Sequence, residues 1–215
     1  MLTRILSGIL ILVTSSAALG QVSFGCDTKV TERTGMSGCY LLASEQLGRL
    51  PAGPLFWHLY TYRNVLDAKA HSGPRSAVVE SLGQVWMFTI AARNWRPASG
   101  KRVGVVGPLP HEAGKVYTAR YMEAVFPPDT HTSVHTHAGP EAWYVVAGAQ
   151  CLETPDGITV VRAGESSFVP EGSPMMLSSV GTETRRSVLL VLHDSSKPWM
   201  MPAKTQWKPK GLCPK

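Results

Sequence analysis

Little in this 215-residue chain suits a membrane, a nucleic acid or a zinc cluster. The apolar run near its start, Ile9 to Val13 with Ile5 and Leu6 before it, is broken by Thr14, Ser15 and Ser16, and it is too short to span a bilayer comfortably. Cysteine is sparse, and Cys26, Cys39, Cys151 and Cys213 have none of the paired spacings of a zinc motif. Acidic side chains are missing altogether from Lys197 to Lys215, where five lysines, four prolines, Trp199 and Trp207 describe an extended, solvated strap lying over the body of the protein. That run is short and lacks both the aromatic platform spacing and the recognition helix of a nucleic-acid binder, so no nucleic-acid partner is expected. The first half has no catalytic cluster, since His58 and His71 are isolated. What remains is an ordinary globular composition with a formal charge of +6 and enough apolar residues for one ample core.

The first twenty residues read as a secretory signal. Arg4 precedes the apolar run, and Ala18-Leu19-Gly20 offers a small-residue cleavage site before Gln21. A retained N-terminal anchor is the alternative, and Cys26 after Ser23-Phe24-Gly25 is a poor lipid-attachment site. The expected location is periplasmic or secreted, with no stable membrane span after cleavage. In an oxidising compartment an even number of cysteines implies two disulfides. Four cysteines allow three pairings, among which the preferred reading has Cys213 pinning the C-terminal tail to the body.

Residues 21–114 read as an α+β segment followed by a connector. LFWHLYTY (Leu55 to Tyr62) is strand-like and NVLDAKAHS (Asn64 to Ser72) has helical composition. The stretch from Ser76 to Ala92 reads as a hairpin turned at Leu82-Gly83-Gln84. Arg93 to Gly114, rich in glycine and proline, looks like a connector with one short strand at Arg102 to Val106. From residue 115 to 196 the pattern becomes short strands separated by turn signals every eight to twelve residues, which argues an antiparallel barrel or jelly roll. Pro155-Asp156-Gly157 has the composition of a hairpin turn.

Within that region SVHTHAGPEAWYVVAG carries the chemistry. Two histidines one residue apart on a strand, His135 and His137, put both imidazoles on one face. A tight Ala138-Gly139-Pro140 turn then lets the next strand bring Glu141 back to the same point, giving a two-histidine, one-carboxylate set with open coordination positions. The same residues also suit a hydrogen-bonded interior pair with a salt-bridge partner. His131 is an outer or entrance residue or a plain loop histidine, and His193 has even odds of pointing inward from the last strand. Trp143 and Val145 alternate with Glu141 and are expected to face the interior, with Tyr144 facing away.

These residues resemble the cupin family. Its first motif, glycine, five residues, His-x-His, three or four residues, Glu, six residues and glycine, is matched by His135, His137, Glu141 and Gly148, with Asp129 in place of the leading glycine. Its second motif, glycine, five residues, Pro-x-Gly, two residues and histidine, is matched by Gly164, Pro170 and Gly172, with Met175 at the histidine position. The resemblance covers roughly Val116 to Asp194.

The resemblance implies a mainly β protein, a double-stranded β-helix (jelly-roll) barrel preceded by a small α+β segment. It also implies a divalent transition metal (Fe, Mn, Cu, Ni or Zn) on His135, His137 and Glu141. Three readings of Met175 stay open: a core-filling thioether, an absent fourth ligand that opens a coordination position, or a sulfur ligand that would favour copper. If Tyr117, Tyr121 and Glu123 face inward, Tyr121 is a candidate acid or hydrogen-bond donor beside Glu141. The leading expectation is an exported metal-dependent enzyme of oxygenase type acting on a small organic molecule. The alternative is a non-catalytic barrel that binds a metal or small ligand, and edge-strand pairing into a homodimer is compatible with either.

Overall fold

The computed structural model describes residues 21–22, 26–203 and 206–214; the signal-like segment 1–20 lies outside the described residues. In chain order the strands are β1 (Gln21–Val22), β2 (Gly38–Arg49), β3 (Leu55–Tyr62), β4 (Ser76–Ser81), β5 (Gln84–Ala91), β6 (Lys101–Leu109), β7 (Val116–Phe126) and β8 (His131–Thr132). They continue with β9 (His135–His137), β10 (Glu141–Ala147), β11 (Ala149–Thr154), β12 (Gly157–Arg162), β13 (Ser166–Val169), β14 (Met176–Val180), β15 (Arg185–Asp194) and β16 (Met200–Pro202). One helix, α1 (Val65–Ala70), follows β3; Asn64 caps it by accepting the backbone N–H of Asp67. No helix among the described residues is long and apolar enough to cross a membrane.

Three sheets are stacked. Two five-stranded sheets, ordered β13-β10-β15-β7-β2 and β1-β8-β14-β11-β12, form the double-stranded β-helix, and a four-stranded sheet, β4-β5-β3-β6, covers the outer face of the first. The central sheet is therefore buried on both sides. One face of β7 and β15 contributes Met122, Ala124, Phe126, Leu189 and Val191 to a cluster inside the barrel. The other contributes Tyr117, Ala119, Tyr121, Leu190 and Leu192 to a cluster against Trp57, Trp86 and Phe88 of the outer sheet. Two-sided burial explains why RSVLLVLHD is nearly continuous in apolar residues instead of alternating.

The expected strand, helix and hairpin between residues 55 and 92 are present. The hairpin closes through Leu82 and Gly83, both with positive φ, the backbone a two-residue turn needs. The connector is more regular than expected: β6 runs nine residues as an edge strand paired with β3, with register shifts along the pairing. β2, unmarked by any strong periodicity in the sequence, pairs along β7 and completes the barrel sheet. Its Ser, Glu, Gln and Gly residues give an edge strand weak apolar periodicity, which hides it. Disulfides join Cys26 to Cys39 and Cys151 to Cys213, the second attaching the tail to β11. The buried carboxylate of Glu153 on the same strand accepts the backbone N–H groups of Lys210 (2.5 Å) and Leu212 (3.3 Å).

Trp57 is fully buried between the outer and central sheets, with Phe88 at 5.3 Å and Tyr121 at 6.5 Å between ring centroids. Trp57→Ala is expected to lower the unfolding free energy by about 3–5 kcal/mol. Urea unfolding followed by far-ultraviolet circular dichroism checks it, and a loss below about 1 kcal/mol would contradict the stacking of the two sheets.

Candidate metal centre

Strand β9 is only three residues long, and neighbours hold it on both sides. On one side His135 exchanges backbone hydrogen bonds with Met175 (3.2 and 3.0 Å) and the Gly172 N–H donates to the His137 carbonyl (3.0 Å). On the other, β16 of the C-terminal strap pairs antiparallel with it, Met200 opposite His137 and Pro202 opposite His135. At the entrance Asp129 stands at φ 61°, so it meets the turn geometry of the motif's glycine. After β9 the chain reverses through Ala138-Gly139-Pro140, clamped to β15 by Leu192 N–H to the Pro140 carbonyl (3.0 Å) and Asp194 N–H to the Ala138 carbonyl (2.9 Å). A Cβ on Gly139 would lie 1.8 Å from the Leu192 carbonyl oxygen, so only glycine allows this approach.

That reversal brings His135, His137 and Glu141 together. All three are buried, and one donor atom from each lies within 4.8 Å of the others. His135 Nδ1 donates to the Ser133 carbonyl (2.9 Å) and His137 Nδ1 to the Trp199 carbonyl (2.9 Å). A carbonyl can only accept, so each neutral ring carries its proton on Nδ1 and keeps its lone pair on Nε2. Trp199 also stacks on His137, centroids 5.5 Å apart and 19° from parallel. His137 Nε2 and Glu141 Oε2 stand 3.4 Å apart; with the imidazole proton on Nδ1 neither atom has a hydrogen to give the other, and both are buried without a hydrogen bond. Two orphaned, convergent, lone-pair-bearing atoms in a dry site fit a cation that accepts from both. The facial set of two imidazoles and one carboxylate suits a divalent transition ion.

Burial holds the His135 pKa below its ordinary value against the attraction of Glu141. For Glu141 burial pushes upward, but His137, His135 and Arg185 outweigh it and hold the carboxyl below the usual range. Both shifts favour the deprotonated forms a metal requires.

Around this group lies a cavity of about 40 Å³, walled by Met122, Ala124, Phe126, Leu177, Leu189 and Trp199. It has room for an ion and about two or three water-sized groups. Trp143 and Val145 pack inside the barrel and Tyr144 faces the outer sheet, as their alternation requires.

Tyr121 is not at the site. It lies on the opposite face of β7, stacked 5.1 Å from Phe88 in the outer cluster, and burial raises its pKa far above the ordinary tyrosine value. The inward set is Met122, Ala124 and Phe126; because both faces of β7 are covered, alternation alone leaves the choice open. Met175 lies opposite His135, 1% exposed, in the inner apolar cluster with Trp143 and Val145, and is not among the residues lining the cavity. This placement favours the core-filling reading of its thioether. His131 and His193 bond neighbouring backbone carbonyls through Nδ1 and stand outside the three-residue group.

Two residues at the candidate site leave no local signal in the sequence. One is Trp199, whose carbonyl and ring orient His137 from a strap expected only to cover the barrel. The other is Arg185, which is 1% exposed and lines the same cavity. Nothing in a run beginning RRSV separates a buried arginine from an exposed one.

No protein-family model matches the sequence, and no curated protein matches it. Among solved structures, a cupin-2 domain protein of Shewanella frigidimarina aligns at 18% identity over 34% of this chain and 68% of its own, with a TM-score of 0.30. A cupin-like protein of Thermotoga maritima aligns at 16% identity over 41% of this chain and 68% of its own, with a TM-score of 0.35. An oxalate decarboxylase of B. subtilis aligns at 17% identity over 44% of this chain and 29% of its own, with a TM-score of 0.35. None of these likenesses bears on what the chain does. The strand order defines the class by fold alone, a double-stranded β-helix barrel, and inside it stands a group of two histidines and one carboxylate that could hold a metal ion.

Two outcomes follow from this geometry. Gly139→Ala is expected to destabilise the fold by about 3 kcal/mol or more, because backbone must move; an unchanged thermal midpoint would contradict the clamped turn. His135 and Glu141 bind protons less readily folded than unfolded, so their contribution to stability is complete above the unfolded values, 6.5 and 4.5, and is lost as pH falls through the lower folded ones. Urea unfolding of the metal-free chain at stepped pH should show stability declining on acidification below about pH 6.5. Stability rising over that range would contradict the placement.

Proposed function

We propose that this chain is an exported, metal-dependent cupin enzyme that acts on a small organic molecule by oxygenase-type chemistry. The observation that carries the metal part is the convergence of His135, His137 and Glu141 with both Nδ1 protons committed to carbonyls. A divalent transition ion on these three ligands would supply Lewis acidity and coordination positions for substrate or dioxygen. The chain's own groups do the rest. Ser133 and Trp199 fix the two rings, the wall is apolar, and Glu141 takes a proton when its carboxylate swings off the ion. Export is supported by the signal-like leader and by two disulfides, bonds that persist in oxidising compartments.

The small cavity favours a second reading, a barrel that holds a metal or small ligand without turnover. Two measurements on the mature chain separate the cases. Metal content should approach one ion per chain and fall at least tenfold in His135→Ala and His137→Ala; equal content in all three would end the metal reading. Oxygen uptake with phenolic and dicarbonyl compounds should then be metal-dependent, whereas ligand-induced thermal stabilisation without uptake identifies a binder.

A further inference from the structure

Among the described residues Arg185 is the one lysine or arginine in the cavity wall, and its surroundings are unusual for a buried guanidinium. Among the described residues no carboxylate forms an ion pair with it, although Glu141 interacts with it electrostatically. It donates through Nη1 to Gln150 Oε1, lies 4.6 Å from the centroid of the Phe126 ring, and has its Nε buried without a partner. Two further buried groups nearby lack partners: the Gln150 side-chain nitrogen, and the Ser187 hydroxyl two residues along the same face of β15. Each of these groups can donate a hydrogen bond, and leaving such donors unmet in a buried site is unfavourable. Burial lowers the Arg185 pKa to about 10, which leaves it charged at neutral pH.

The charge count points the same way. Two neutral imidazoles, the Glu141 carboxylate and the Arg185 guanidinium carry no net charge together, and a divalent ion leaves two positive charges unbalanced in an apolar cavity. Such an excess is costly unless the occupant brings negative charge. The inner volume of about 40 Å³ has room for a compact anionic group beside the three side chains.

We propose that the ligand completing this site is a small organic carboxylate, held by Arg185 within the cavity formed by His135, His137 and Glu141. This inference rests on the metal reading for its full strength, but the Arg185 contact does not require the metal. Guanidinium is suited to the task because its planar fork can grip a carboxylate through two parallel hydrogen bonds. A neutral isostere offers it no charge.

The test uses the full mature chain, loaded with Mn(II) and also metal-free, with metal content measured on every sample. Acetate and formate are titrated against acetamide and formamide by calorimetry and thermal shift. The loaded wild type should bind the carboxylates at least tenfold more tightly than the amides, about 1.4 kcal/mol. Arg185→Met should abolish that preference and Arg185→Lys should keep part of it, with metal content unchanged in both. If neither variant folds, the metal-free wild type decides, because Arg185 is then the cavity's remaining cation; a persisting preference for acetate over acetamide supports the proposal. Equal binding of carboxylates and amides, or undiminished carboxylate binding by Arg185→Met, overturns it. Failure of the chain to take up metal while the carboxylate preference survives overturns the metal reading alone.

Discussion

The candidate site depends on one close approach of backbone to backbone, where the Ala138-Gly139-Pro140 turn lies against β15. Two hydrogen bonds hold it there, and the missing side chain of Gly139 makes the contact possible. If the turn were displaced outward, Glu141 would no longer face His137, and β10 would lose its pairing with β15, which begins at Glu141 opposite Val191. The same contact thus sets the register of the central sheet and the geometry of the site. The inner apolar cluster follows from that register, since Glu141, Trp143 and Val145 share one face.

A second constraint is electrostatic. Three titratable side chains and a guanidinium are buried around one small cavity, the two imidazoles held by backbone carbonyls and the guanidinium by the Gln150 side chain. Carbonyls of Ser133 and Trp199 hold the imidazole protons, which commits both Nε2 lone pairs to the interior. The Trp199 carbonyl belongs to a tail tied down elsewhere by Cys151–Cys213 and by Glu153, so the strap is structurally continuous with the centre it helps to orient.

Much of this was legible from sequence, for identifiable reasons. His-x-His on a strand forces a shared face, and the spacing to Glu141 leaves room for only a tight turn. Asp129 could replace a glycine because aspartate tolerates positive φ, which it adopts here. The hairpin at Leu82-Gly83 and the inward direction of Trp143 were readable from turn chemistry and alternation. What was hidden depends on tertiary context. β7 is covered on both faces, so its pattern could not tell Tyr121 from Met122. β2 lacks apolar periodicity and is recognisable only through its partner. Arg185 and Trp199 reach the cavity by pairing and by the path of the tail, neither of which leaves a local signature.

The coordination sphere itself is the most direct thing to measure. X-ray absorption at the metal edge of the purified protein, loaded with a divalent ion, should show two imidazoles with oxygen neighbours and no sulfur scatterer near about 2.3 Å, the usual distance of a metal–sulfur bond. A sulfur neighbour at that distance would put Met175 on the ion, and fewer than two imidazoles would mean that His135 and His137 do not share it; either spectrum would contradict a centre built from two histidines and one glutamate.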